Sequence, residues 1–231
     1  MSGAQAMVLA AGRGERMRPL TDTCPKPLLQ VGGRPLLDWH LLALAEAGYT
    51  RAVINTAWLG EQVERHCGPA MGGLALAYSH EGRDFGGALE TAGGIARALP
   101  HLDEVFWVLA GDVYVPGFQF ARVRLAAFAA GGRPAHLFLV PNPEHNQRGD
   151  FGLQDGLATN GGEPRFTYST IGLYRRRFFD GLPWGNPEGL KVALAPMLRR
   201  AMDNGQVSAE LYDGRWTDVG TPERLARLNA P

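Results

Sequence analysis

The stretch MVLAAGRGERMRPLTDTCPKPLLQVGGRPLL, residues 7–37, sets an apolar run directly before a segment crowded with glycine, arginine and proline. The apolar run reads as a strand. A glycine-rich turn at a strand end is where backbone N–H groups can face a phosphate. Two familiar phosphate-loop patterns fail on it. Gly12-Arg13-Gly14-Glu15-Arg16-Met17 has methionine where the dinucleotide fingerprint needs a third small residue, and no Gly-Lys-Ser/Thr follows. The next helical pattern also waits until after Pro35, whereas those motifs open a helix at once. What remains is a turn of small residues, Ala10-Ala11-Gly12, that lets a planar base or a ribose approach the backbone, followed by Arg13, Arg16, Arg18 and Lys26. This pattern suits a nucleoside platform with a polyphosphate clamp, and equally a solvated basic loop; spacing does not separate the two.

The rest of the composition bounds the choice. A chain of 231 residues suits one α/β domain with a sizeable core. Lys+Arg and Asp+Glu both number 23, so the formal net charge is zero and neither a nucleic-acid nor a membrane partner is indicated. Only Lys26 and Lys191 are lysine; a compact ammonium enters a phosphate site that a planar guanidinium would overfill. Cys24 and Cys67 show no metal or redox spacing, and the six histidines show no metal spacing or partnered acid, so both sets read as structural or solvated. The first residues lack a leader pattern and no apolar run approaches ~18 residues, which points to a soluble cytoplasmic protein, expected to be a monomer.

Apolar runs rich in β-branched and aromatic residues alternate with helical patterns, the signature of βαβ units and a mostly parallel sheet flanked by helices. Strands are expected at 5–11, 51–56, 75–80, 105–110 and 135–140, with helices at 36–47, 60–67, 91–99 and 118–130. After Asn142 short strands and Gly/Asn turns predict a small antiparallel extension, then a helix over 190–203 that begins beside Lys191, and a closing strand-turn-helix. A single domain is expected, with residues 1–141 as one half and 142–231 as the other.

Two acids stand out. VFWVLAGDVYV ends a strand on Gly111-Asp112, at the edge where parallel sheets bind ligands, and WTDVGTP sets Asp218 just before a helix expected from Thr221. Each also reads as ordinary turn or helix-start chemistry.

LAAGRGERMRPLT followed by CPKPLLQVGGRPLL resembles the signature of sugar-1-phosphate nucleotidyltransferases, and the later strand-Gly-Asp and Trp-x-Asp-x-Gly-Thr features extend the resemblance over nearly the whole chain. It implies the Rossmann-like α/β fold of nucleotide-diphospho-sugar transferases. The reaction implied is nucleoside triphosphate plus sugar 1-phosphate giving nucleoside-diphosphate-sugar and pyrophosphate. Carried onto this sequence, Leu9, Ala10, Ala11 and Gly12 would form the nucleotide turn. Arg16 would hold the triphosphate, Lys26 would reach the α-phosphate, and Arg13 would help the leaving pyrophosphate. Asp112 and Asp218 would bind Mg²⁺, whose octahedral oxygen site two carboxylates complete. Glu15, where relatives carry Ser or Thr, should point outward or pair with an arginine.

Asn55, and Thr91, Gly93 and Gly94 of ETAGGI, would lie against base and ribose, though Thr91 also reads as a helix cap. Asn142, Asp150 and Lys191 would hold the sugar phosphate. The phrases ETAGGI, NPEHNQRGDF and WTDVGTPERL are most similar to the branch that couples UTP to N-acetylmuramate 1-phosphate in peptidoglycan recycling. Mannose 1-phosphate with GTP, phosphocholine with CTP, and a non-catalytic nucleotide-binding relative are the alternatives. The short C-terminus argues against allostery.

Overall fold

The computed structural model describes residues 3–230. Strand β1 (Ala4–Leu9) leads through the opening loop into a hairpin, β2 (Gln30–Val31) and β3 (Arg34–Pro35), before helix α1 (Leu36–Glu46). Gly32 and Gly33 make that hairpin turn with φ of 60° and 75°, which only glycine adopts without strain. Strand β4 (Arg51–Thr56), α2 (Gly60–Cys67), β5 (Ala70–Met71), β6 (Leu74–His80), α3 (Glu81–Phe85) and α4 (Glu90–Ala98) follow. Then come β7 (Leu102–Ala110), β8 (Val113–Tyr114), α5 (Arg122–Ala130) and β9 (Ala135–Val140). The second half holds β10 (Phe151–Gln154), β11 (Leu157–Thr159), β12 (Arg165–Arg175), α6 (Leu194–Asp203), β13 (Val207–Leu211), β14 (Thr217–Asp218) and α7 (Pro222–Asn229).

Ten strands form one sheet in the order β10-β11-β13-β9-β12-β7-β1-β4-β6-β5. The run β7-β1-β4-β6 is parallel, as the βαβ pattern predicts. The antiparallel extension is built into the same sheet. Strand β12 runs antiparallel between β7 and β9, and its first residues also pair with β10. Since β10 pairs β11, β11 pairs β13 and β13 pairs β9, these five strands close into a ring.

Alternation along the strands divides the core. Met7, Val53, Phe106 and Val108 face one side, under α4 and α6. Ala6, Val8, Ile54, Trp107 and Leu109 face the other, under α1, α2 and α5. A third cluster seats Met17 of the opening loop against Leu36, Tyr114 and Val219. Methionine at the position that spoils the dinucleotide pattern is therefore a buried anchor. It ties the loop to the segment that carries Asp218.

Two helices start later than their patterns predict. Residues 118–121 stay irregular because Phe118 and Phe120 pack edge-on against Trp107, at ring centroids of 5.9 and 5.3 Å, so α5 opens only at Arg122. Residues 190–193 stay extended because Val192 bonds α4: its N–H donates to Leu89 O (3.1 Å), and its carbonyl accepts from Ala92 N (2.9 Å) and Gly93 N (3.1 Å). Lys191 therefore does not begin a helix. Among the described residues no helix is long and apolar enough to cross a membrane.

Candidate active site

The opening loop leaves the C-terminal end of β1 in the middle of the parallel run. Ala10 N donates to Asn55 Oδ1 (2.8 Å), which fastens the turn to the end of β4. Asn55 Nδ2 in turn donates to Glu81 Oε1 (2.7 Å), and Glu81 Oε2 accepts from Leu89 N (2.8 Å). Glu81 is fully buried, and that burial raises its carboxyl pKa despite the two bonds. Nothing in the sequence marks Glu81. It stands out only when the fold puts it under the first turn of α4.

Among the described residues the amides of Ala11, Gly12, Arg13 and Gly14 meet no protein acceptor, so this turn presents a row of free N–H donors. A Cβ on Gly12 would meet nothing within 4 Å, and the turn is open on its outer side. Beneath it lies a cavity of about 230 Å³ lined by Leu9, Ala10, Gly12, Lys26, Glu90 and Asp112, among others. The buried Lys26 ammonium is ion-paired to Asp112 Oδ2. Arg16 is exposed and, among the described residues, has no ion-pair partner; it does not line the cavity, and Glu15 is exposed beside it. Arg13 is already engaged: its guanidinium lies 3.6 Å over the Trp58 ring and donates to Thr21 O and Asp22 Oδ1, both at 2.8 Å. It shapes the loop and does not line the cavity.

Main-chain pairing joins the backbone segments that carry Asp112 and Asp218. Strand β14 lies antiparallel to β8 with Asp218 opposite Val113, and Val219 N donates to Asp112 O (3.0 Å). His40, buried on α1, holds the same strand by a 2.9 Å contact from Nε2 to Val113 O. Asp218 Oδ2 is paired with Arg224 of α7. Asp218 Oδ1 is buried and lies 2.9 Å from His145 Nε2. Asp112 lines the first cavity and Asp218 a separate one shared with His145 and Arg224, and two carboxylates on paired backbone segments are the kind of oxygen donors a hard divalent cation takes.

Gly93 and Gly94 are buried in α4 and do not line the cavity. A Cβ on Gly93 would strike Leu190 O and lie 3.1 Å from Val192 N; one on Gly94 would strike Glu81 Oε1 and lie 3.0 Å from Asn55 Nδ2. Their small size serves protein packing. Thr91 does line the cavity, together with Glu90, whose φ of 61° is a strained value for a residue with a side chain.

A second cavity of about 370 Å³ adjoins the first, sharing Leu9, Glu90, Thr91 and Ala110. It opens where β12 leaves β10 and takes up β7. The chain bulges there between Tyr168 and Gly172, and Thr170 sits at φ 66°, an outlier for a β-branched residue. Asp150 lines this cavity, with its carboxylate accepting from Tyr168 N (2.8 Å) and Asn146 Nδ2 (3.1 Å). Asn142 does not line it: Nδ2 donates to Arg165 O (3.0 Å) and Oδ1 accepts from Thr167 (2.9 Å), which organises the turn behind. Lys191 is exposed and lines neither cavity.

The histidines correct the expectation that they lack acid partners. His66 lies 2.8 Å from Asp38, His80 2.8 Å from Glu64, and His145 beside Asp218. These pairs bridge different elements, so no sequence spacing reveals them. Cys67 joins Asp38 and His66 in one cluster, with its thiol pushed up to about 12 by burial and then by the Asp38 charge.

Residues 5–153 match the family described as Nucleotidyl transferase. The chain belongs to the nucleotidyl transferase family. It is 47% identical to an N-acetylmuramate alpha-1-phosphate uridylyltransferase of Neisseria meningitidis serogroup B, covering 98% of this chain and 97% of that one. A Caulobacter vibrioides protein of the same description is 33% identical over 94% of this chain and 92% of its own. The fold of this nucleotidyl transferase matches the solved inositol-1-phosphate CTP transferase from T. maritima, with a TM-score of 0.69 at 18% identity, covering 99% of this chain and 98% of that one.

Proposed function

We propose that this nucleotidyl transferase is a Mg²⁺-dependent uridylyltransferase that joins UTP to N-acetylmuramate 1-phosphate, releasing pyrophosphate, in the cytoplasmic recycling of cell-wall sugars. The observation that supports this reading is Lys26 paired with Asp112 in the first cavity beside the free amides of the opening turn, with the segment of Asp218 paired alongside, in a chain alike over at least 94% of its length to two enzymes of that description.

The chain's own groups account for the chemistry. A sugar phosphate oxygen attacks the α-phosphorus in line, a new P–O bond forms as the bond to pyrophosphate breaks, and no protein nucleophile is needed. Base and ribose rest on the small residues Ala10, Ala11 and Gly12, with Asn55 holding the turn and Thr91 on the opposite wall. The amides of residues 11–14 and Arg16 face the β- and γ-phosphates, and Lys26 meets the charge that grows on the α-phosphate. Asp112 and Asp218 would hold the cation, which supplies Lewis-acid neutralisation of the α-phosphate when bound. Asp150 and Thr170 lie toward the sugar, in the second cavity.

The test is pyrophosphate release with Mg²⁺, crossing UTP, dTTP, CTP and GTP with N-acetylmuramate, N-acetylglucosamine, glucose and mannose 1-phosphates, plus phosphocholine. Release confined to UTP with the muramate substrate, and lost in Asp112→Ala, is expected. Release with a different pair moves the substrate assignment, and silence throughout overturns it.

A further inference from the structure

We infer that Arg199 is a specificity determinant of the second cavity, taking up the carboxylate of an acidic sugar 1-phosphate; this rests on the substrate reading above. Helix α6 turns Leu198 into the core and sets Ala195 and Arg199, one turn apart, along the cavity wall. The Arg199 guanidinium lies 5.1 Å over the ring of Phe151, another lining residue, and NH1 donates to Asn160 Oδ1 (3.2 Å). Arg199 is exposed, and that ring contact and one neutral bond orient the guanidinium toward the cavity wall while leaving most of its donors unused. Among the described residues no carboxylate neutralises it.

The other charged residues lining this cavity are Glu90 and Asp150, both acids. A neutral hexose needs no cation here. N-acetylmuramate differs from N-acetylglucosamine by a lactyl ether that ends in a carboxylate, and that extra charge beside Glu90 and Asp150 is repelled unless a cation answers it. A guanidinium fork matches a carboxylate with two parallel bonds. Lys26 lines the first cavity, where the proposed reaction assigns it to phosphate, and Arg16 lines neither cavity. The strained Glu90 and Thr170 on the same walls mark the cavity as one held in shape at a cost to the backbone.

The experiment compares kcat/KM with UTP for N-acetylmuramate 1-phosphate and for its lactyl carboxamide analogue, in wild type, Arg199→Gln and Arg199→Lys. The wild type is expected to prefer the carboxylate by roughly 10–100-fold, the range of a charge-assisted pair. Arg199→Gln erases the preference, and Arg199→Lys keeps part of it through charge without the fork. A preference unchanged in Arg199→Gln overturns the inference, as does an equal loss on both substrates, which assigns Arg199 to the phosphate or to the fold. Wild type inactive on both substrates overturns the uridylyltransferase reading first, before any variant is considered.

Discussion

Lys26 is one of two lysines in a chain that otherwise uses arginine, and its buried ammonium meets Asp112 at the floor of the first cavity. Lys26→Met is expected to lower kcat/KM roughly 10²–10³-fold, the scale of losing one preorganised donor to a developing charge, with the urea midpoint near that of wild type. Lys26→Arg should not restore activity, because the fork does not fit where the point charge does. Gly94→Ala tests a different role. The added methyl would press on the Glu81 carboxylate, so about 1–3 kcal/mol of stability should be lost, measured by urea unfolding. Ala10, Gly12, Lys26 and Asp112, singled out in the sequence, do line the first cavity, and Asp218 sits on the strand paired alongside; spacing alone left each open, and the resemblance to the family pointed to them. Glu81, His145, Arg199 and Arg224 were not legible, since each owes its place to a partner on a distant element. Gly93 and Gly94 were misread as ligand-facing because a sequence does not say which neighbour a missing Cβ leaves room for.

At the level of elements, the parallel strands and the helices between them followed from apolar runs and helical periods. The ring of β9 to β13 did not, because antiparallel partners at long separation leave no periodic trace. The Val31-Gly32-Gly33-Arg34 hairpin carried a readable signal of two consecutive glycines that the helix-centred reading passed over. The clasp between α4 and residues 190–192 was hidden by a helical pattern that begins four residues early. That clasp sets the wall of the second cavity through Ala193 and Leu194. Gly93→Ala, whose methyl would strike Leu190 O, should therefore raise KM for the sugar phosphate more than KM for UTP. Equal rises in steady-state KM would show that the clasp does not act on the sugar side. Strand β14 and α7 form a second such unit: Asp218→Asn should raise the Mg²⁺ concentration for half-maximal activity at least about 10-fold while circular dichroism stays unchanged.

Over the whole molecule, the one sheet through both halves predicts a single cooperative unfolding transition, the same by fluorescence and by circular dichroism. Its pH dependence has an identifiable source in His40. Burial pushes this imidazole down to about 4 from 6.5, outweighing its bond to Val113 O and the nearby Asp112 charge. Between those values the unfolded chain carries a proton that the folded chain does not, so stability is full above pH 6.5 and falls as the pH drops toward 4. The loss amounts to about 3 kcal/mol. Urea midpoints measured from pH 7 to 4 should show the decline in wild type and a flatter profile in His40→Gln.

The closed ring has a further effect on how the molecule behaves in company. An open sheet presents two rims of unsatisfied N–H and C=O groups on which a neighbouring chain can template. Here one end of the sheet curls back on itself through the β10 and β12 pairing, and the other ends in β5, two residues long. The curled end leaves the sheet with one open rim, on the side of β5 and β6, which helps guard a neutral protein, with no net charge to repel its copies, against strand-to-strand aggregation.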